Sequence, residues 1–456
     1  MMMRQSKRLR RSWHLIRSTI NLALNGLRRH GVRGVIKRLP RYLVNRHIVL
    51  SLITSGAPTN FMAGGSIRSL ILAHNEPWAP LPVYIDRRAP RTLTIVTDSV
   101  AAHSLFGGVG TALVVGALSA KRLGARLRLV TRSDATDPAV LGRILKAHKI
   151  DWDGETDFAH IPIGRDKPLS VGPEDTILTT SWWTTRAVLG SVDAAQILYL
   201  LQEDERMFYA HDDSRLRCAE TLAEPNVRVI VNTQLLFDHL AEGADPLPRL
   251  RERGHWFDPA FPSFAQPTES RPRNGKWNFF FYARPNHPRN LFWRGLEVID
   301  AAMRDGSLPS NEWNIHFVGN NIPDLKLPGD ARPIVRANLS WSNYAELVSQ
   351  MDLGLCLMDT PHPSYPPLDL AASGAVVVTN THGPKTSLER WSRNIITAPP
   401  SIDGLCEALR RGAMLAQNAP LRMENYRSDH ISRDWEASLR PALDRLLPPQ
   451  ELRKCS

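Results

Sequence analysis

PHPSYPPLDLAASGAVVVTN, residues Pro361–Asn380, changes character twice along its length. Pro361, Pro363, Pro366 and Pro367 keep its first part out of a helix interior, because proline lacks an N–H and its ring clashes with the preceding turn. Proline does fit the first turn of a helix, where N–H groups have no internal partner anyway. Pro366 or Pro367 is therefore expected to open a helix through Leu368, Asp369, Leu370, Ala371 and Ala372. Gly374 ends it, and Ala375–Val378 is an apolar run of the kind that parallel sheets bury on both faces. A preceding strand is expected at Leu353–Leu357. A loop and helix N-terminus beyond the end of such a strand is where open α/β sheets bind phosphates. Asp369 is expected in the first helical turn, where the dipole favours a carboxylate that can accept protons from sugar hydroxyls.

The surrounding pattern is one of strands and helices in alternation, which predicts parallel sheets covered on both faces. From Arg91, strand candidates recur at Arg91–Asp98, Leu127–Val130, Ile177–Thr180, Ile197–Leu201 and Val227–Val231, with helices between them. The pattern breaks at residues 259–275, a proline-rich linker, and restarts. Asn278–Tyr282, Ile315–Val318, Leu353–Leu357, Ala375–Val378 and Ile395–Thr397 read as the second set of strands. At 456 residues the chain exceeds one ordinary core. The expected fold class is α/β, with two doubly wound, Rossmann-like domains facing a cleft and a basic helical extension ahead of them. The expected divisions are 1–90 (extension), 91–258, 259–275 (linker), 276–425, and 426–456 as a helix crossing back to the first domain.

The net charge of +12 is a local property. The first 75 residues hold 14 Lys and Arg and no acid, which leaves 43 basic against 45 acidic residues in the other 381. The body is near neutral, which argues against nucleic acid as a partner. In the arm, Trp13, Ile16, Ile20, Leu24 and Leu27 recur at helical spacing, with Arg17, Arg28 and Arg29 largely off that stripe. Such a helix lies on an anionic membrane or docks on the body. Ile48–Ile53 is too short to span a bilayer. The expectation is a cytoplasmic protein held peripherally on the inner face of the membrane through residues 1–46. The four cysteines show no metal-binding or paired spacing, so a reduced compartment and no metal are expected. Asp151 and Asp153 read as a surface turn.

Three further clusters carry candidate chemistry. Arg284 and Arg289 straddle a proline-containing loop (YARPNHPRN, Tyr282–Asn290) that opens a helix. Gln202, Glu203 and Glu205 follow a strand ending at Leu201, where acids and amides can hold sugar hydroxyls or take a proton from an acceptor. Gly107 and Gly108 allow a tight turn and close approach to the backbone, without the dinucleotide-binding glycine spacing. Lys385 lies in the loop THGPKTSL after the strand Ala375–Val378.

These segments resemble the family-4-like retaining glycosyltransferases of the GT-B fold, in particular the dTDP-rhamnose-dependent rhamnosyltransferases of S-layer glycan and rhamnan assembly. That group has a Pro-His-Pro-Ser-Tyr-Pro-Pro-Leu-Glu segment, a pair of basic residues five apart, a Gly-Gly and a Gln-Asp-x-Glu. Here Asp369 replaces the Glu, Glu203 stands at the Asp position, and the family's other Glu falls on Pro361, which leaves its role to His362 or Ser364. The resemblance implies donor binding by Asp369, Ser364, Tyr365, Leu368, His362 and Lys385. It also implies a diphosphate clamp of Arg284 and Arg289, and an acceptor side at Gly107, Gly108 and Gln202, with Glu203 and Glu205 as catalytic carboxylates that hold sugar hydroxyls or act as base for the acceptor. The implied activity is metal-independent transfer of L-rhamnose from dTDP-L-rhamnose, with retention, to a glycan or lipid-linked glycan, without a cofactor. A departing nucleoside diphosphate gains negative charge, so preorganised cations lower the barrier. A nucleotide-sugar epimerase on the same fold and a non-catalytic glycan- or membrane-binding subunit are the rival readings.

Overall fold

The computed structural model describes residues 66–101, 108–135, 137–164, 167–262 and 275–448. Its contacts divide the chain into Met1–His74 and Asn75–Ser456. The predicted helix around Trp13–Leu27 and the rest of residues 1–46, expected to meet a membrane, lie outside the described residues. So do Gly107 and most of the linker. In the first unit the described chain forms one helix, Ile67–His74, with no buried residue.

The second unit contains two large sheets, besides a two-stranded one. Its strands are β1 (Val83–Ile85), β2 (Thr92–Thr97), β3 (Arg126–Thr131), β4 (Thr156–His160), β5 (Leu169–Val171), β6 (Thr176–Thr179), β7 (Ile197–Leu201), β8 (Arg228–Asn232) and β9 (Gly254–Phe257). Then come β10 (Trp277–Tyr282), β11 (Trp313–Val318), β12 (Ile334–Arg336), β13 (Leu353–Leu355), β14 (Val376–Asn380) and β15 (Ile395–Ala398). Among the described residues one sheet runs β4-β3-β2-β6-β7-β8-β9 and the other β12-β11-β10-β13-β14-β15. Every pairing in both is parallel. β2, β7 and β14 are buried along their whole length, as expected of strands covered on both faces. The helix Gly110–Leu123 is buried at nearly every position and stops where Gly124 takes a left-handed φ of 57°.

Two features depart from the expected divisions. Residues 75–90, read as the end of the extension, belong with the first domain. The Trp78 ring meets Trp182 at 5.4 Å, Leu81 N–H donates to Ala187 O, and β1 pairs with β5. Prolines interrupt helix and sheet there, yet the apolar side chains between them still find a core. The signature helix spans Tyr365–Ala372, so it begins one residue before the prolines rather than on them. Asp369 is consequently not in the first turn.

The final helix, Trp435–Leu446, returns to the first domain. Trp435, Leu439, Ala442, Leu443 and Leu446 join the cluster formed by the helix Gly110–Leu123 and the strands β2 and β3. The chain that closes the second domain thus also seals the core of the first. Truncation of a buried aromatic removes its transfer energy and leaves a cavity. Trp435→Ala is expected to cost about 3–5 kcal/mol, read as a lowered denaturant midpoint; a shift within ±0.5 kcal/mol would mean that this helix adds nothing to the fold's stability.

Candidate functional site

In the second sheet the chain builds outward from β10 through β11 to β12, then returns to lay β13 on the other side of β10. Brought side by side at that reversal are the loops leaving β10 and β13, which form the crevice where open α/β sheets take ligands. They are tied directly: Asp359 N–H donates to Arg289 O at 2.7 Å, and Asn290 Nδ2 donates to Leu357 O at 3.3 Å. Gly319 lets a third loop close in, since a Cβ there would lie 1.8 Å from Ala283 O. Helix starts around the cleft carry positive φ on non-glycine residues, at Thr233 (86°), Leu291 (46°) and Ser364 (69°). Such backbone costs about 1–3 kcal/mol each and concentrates at functional sites.

The predicted cations converge here. Arg284 donates to the Tyr282 hydroxyl at 3.1 Å and to His287 Nε2 at 2.5 Å. Arg289 lies 4.3 Å from the centre of the Phe208 ring and 3.5 Å from Glu203, both in the first domain. Lys385 is 0% exposed, and its ammonium donates to Met358 O at 2.7 Å and reaches His362 O at 3.5 Å. Burial brings its pKa down to about 8, against the pull of Glu203 and Asp359. His362 is buried and accepts the Ser364 N–H on Nδ1 at 2.9 Å. Its proton therefore sits on Nε2, which has no partner. Burial, with the charges of Lys385 and Arg289, lowers its pKa to about 3 and keeps the ring neutral.

The other predicted residues are placed differently. The Tyr365 hydroxyl crosses to the first domain, 2.6 Å from Thr111 Oγ1 and 2.8 Å from Asn232 Nδ2. It joins the domains rather than facing open cleft. The Leu368 side chain is core, so only its backbone is available to a ligand. Asp369 points inward: its Oδ2 accepts the Tyr344 hydroxyl at 2.8 Å, and Oδ1 is buried without a partner. No cation among the described residues compensates it, and burial raises its pKa to about 8. This corrects the expectation of a dipole-stabilised carboxylate; the earlier helix start moves Asp369 into the second turn and turns it toward the core. On the first-domain side, Gln202 Nε2 donates to Gly108 O at 2.9 Å, and a Cβ on Gly108 would come within 2.8 Å of that amide. Glu205 is held beneath the helix Trp182–Leu189, accepting the Trp182 N–H at 2.8 Å. Burial raises its pKa to about 8. Of the two predicted acids, Glu203 is the one at ion-pair distance from Arg289.

Sequence reading missed Tyr344, Phe208, Thr111 and Asn232. No motif marks them; they reach the site from separate elements, and only β8's C-terminal end gave a positional signal for Asn232.

A crevice with this set of N–H donors and cations at the ends of parallel strands is suited to an anion. Residues 277–410, which include Arg284, Arg289, His362, Asp369 and Lys385, match the family described as WsaF, C-terminal domain. Over 286 residues the chain is 28% identical to the O-antigen biosynthesis protein RfbC of Myxococcus xanthus, a match that covers 60% of this chain and 21% of that protein. The matched part thus spans about a fifth of that curated relative's length. Among solved structures, sucrose-phosphate synthase from Thermosynechococcus elongatus is similar at a TM-score of 0.51 and 13% identity, over 80% of this chain and 100% of that one. The architecture is that of the GT-B glycosyltransferases: two Rossmann-like domains with parallel sheets facing a cleft.

The buried acids make stability pH-dependent. A carboxyl with a raised folded pKa gives the native chain an extra proton, so stability falls as pH rises from the unfolded value, about 4, to about 8 for Asp369. Asp369→Asn is expected to flatten part of this slope between pH 5 and 8, up to about 1.4 kcal/mol per pH unit. Melting temperatures of both proteins across that range decide it; parallel curves would mean that Asp369 is ionised in the native state.

Proposed function

We propose that this chain is a glycosyltransferase that moves a sugar from a nucleoside-diphosphate donor to a glycan or lipid-linked glycan in cell-surface polysaccharide synthesis, with dTDP-L-rhamnose the first candidate donor. The observation that carries this reading is the gathering of Arg284, Arg289, Lys385 and the His362 Nε2–H at the reversal between β10 and β13. The match to the WsaF C-terminal family falls on the same residues, and the RfbC relative's description as an O-antigen biosynthesis protein supports the glycan acceptor.

In this mechanism the arginines and Lys385 meet the charge that grows on the diphosphate as the glycosidic bond breaks, in a site dry enough for that to matter. His362, neutral and fixed in one tautomer, offers a hydrogen-bond donor to the donor's phosphate or sugar. The 364–368 backbone remains for the rest of the donor. The acceptor enters from the first domain beside Gly108 and Gln202. Transfer proceeds with retention, the leaving phosphate oxygen assisting attack on the same face. The reaction needs no metal in this scheme.

A peripheral membrane position is part of the proposal. The strongly basic first 75 residues end in the helix Ile67–His74, which exposes Ile67, Leu70, Ile71 and Leu72. No helix among the described residues is long and apolar enough to cross a membrane. Each Lys or Arg near an anionic surface adds about 1 kcal/mol of attraction.

A thermal-shift or calorimetric titration with dTDP, UDP, GDP and ADP, with and without Mg²⁺, tests the donor. A ligand specific to the folded state stabilises it by about 2.7 kcal/mol at a hundredfold excess over its Kd. Metal-independent stabilisation by dTDP is expected; preference for UDP or GDP would remove rhamnose, and no binding to any would favour the non-catalytic subunit. Arg289→Ala is expected to weaken nucleotide binding by about 1.5–3 kcal/mol, more than it lowers stability. Equal losses in binding and stability would make Arg289 structural. Deletion of residues 1–46 is expected to abolish sedimentation with anionic liposomes and leave the melting temperature intact, whereas unchanged sedimentation would rule out the membrane role.

A further inference from the structure

Glu203 follows β7 in the first domain, yet the groups that hold its charge belong to the second. Burial raises the pKa of Glu203, while Arg289, within 3.5 Å, the Thr360 hydroxyl and Lys385 pull toward its ionised form. The pairing is loose. Glu203 Oε2 and Arg289 Nη1 are both buried without a hydrogen bond. The next residue shows what an optimised pair looks like here: Asp204 takes Arg206 on both oxygens, at 2.8 and 2.9 Å. A half-buried pair with unsatisfied atoms returns little for the water it gives up. His362 Nε2–H, a second unsatisfied donor, belongs to the same group, since both Arg289 and Lys385 lower the ring's pKa.

We propose that Glu203 is a built-in counter-anion seated in the pocket for the donor's diphosphate, and that the nucleotide binds by displacing it from Arg289. This rests on the reading of that pocket as a diphosphate site. A diphosphate carries more charge and more acceptor oxygens than one carboxylate, so it satisfies donors that Glu203 leaves open. Until then Glu203 compensates Arg289 and the buried Lys385 and holds the two domains together across the cleft. The arrangement sets donor affinity below what the cations alone would give. It also links binding to protons. The groups facing Glu203 are Arg289 and Lys385 from the second domain, and Asp204 and Glu205 on its own segment. Once a diphosphate engages both cations, Glu203 faces mostly negative charge and takes up a proton, so low pH favours the complex.

The test is calorimetric titration of the full chain with dTDP, and with whichever of UDP, GDP or ADP stabilises it most, on wild type, Glu203→Gln and Glu203→Asp. Circular dichroism and melting temperature check each fold. Glu203→Gln keeps shape and loses charge; it is expected to bind about tenfold more tightly and to tighten less than wild type as pH falls from 8 to 6. Glu203→Asp withdraws the carboxylate and is expected to fall between the two. Equal or weaker binding by the folded variants, with the wild-type pH dependence, overturns the displacement and leaves the diphosphate site standing. Binding seen only in Glu203→Gln supports it. No nucleotide binding by any of the three overturns this inference together with the diphosphate reading.

Discussion

The reversal of strand order between β10 and β13 is the constraint on which the rest of this protein depends. A parallel sheet needs a crossover after every strand, so each strand's C-terminal end meets solvent on the same edge. Where the order reverses, two successive crossovers diverge and leave a crevice that side chains cannot close. Arg284 and Arg289 enter it from one loop, and His362 and the carbonyls that hold Lys385 enter from the other. The strained residues Leu291 and Ser364 stand where those loops turn into helices. The first domain then supplies the facing wall, and the Tyr365 hydroxyl fixes the distance between the two by its contacts with Thr111 and Asn232.

The second governing property is dryness. Lys385, His362, Asp369 and Glu205 all have pKa values moved toward the neutral form, with burial as the largest cause each time. Charges in such surroundings interact more strongly than at a surface, and unpaired donors are costly. The same medium that makes the cations effective toward an anion makes them expensive when the site is empty. Glu203 and the backbone carbonyls of Met358 and His362 are the compensation the fold provides.

Much of the architecture is written in local pattern. Apolar runs of β-branched and aromatic residues, each bounded by turn chemistry, place β2, β7, β10 and β14 within a residue or two, because strands buried on both faces must be apolar throughout. The spacing of Arg284 and Arg289 around Pro285 and Pro288, and the proline-rich entry to the helix at Tyr365, depend on short-range backbone rules. The sequence determined, by itself, two doubly wound domains, the loops that carry the cations, and a body near neutral behind a basic first segment.

Tertiary structure decided the partner of each charge. Asp369 and Glu205 both read as acids at a ligand edge. One turns inward to Tyr344, because a one-residue difference in where its helix starts rotates a side chain by about 100°, and the other accepts the Trp182 N–H at the start of the helix Trp182–Leu189. Glu203 reaches Arg289 across some 86 residues of chain, and Tyr365 reaches Asn232 across 133. Periodicity and motif spacing describe a few turns of backbone; contacts between domains depend on how two finished sheets pack, and no local pattern carries that information.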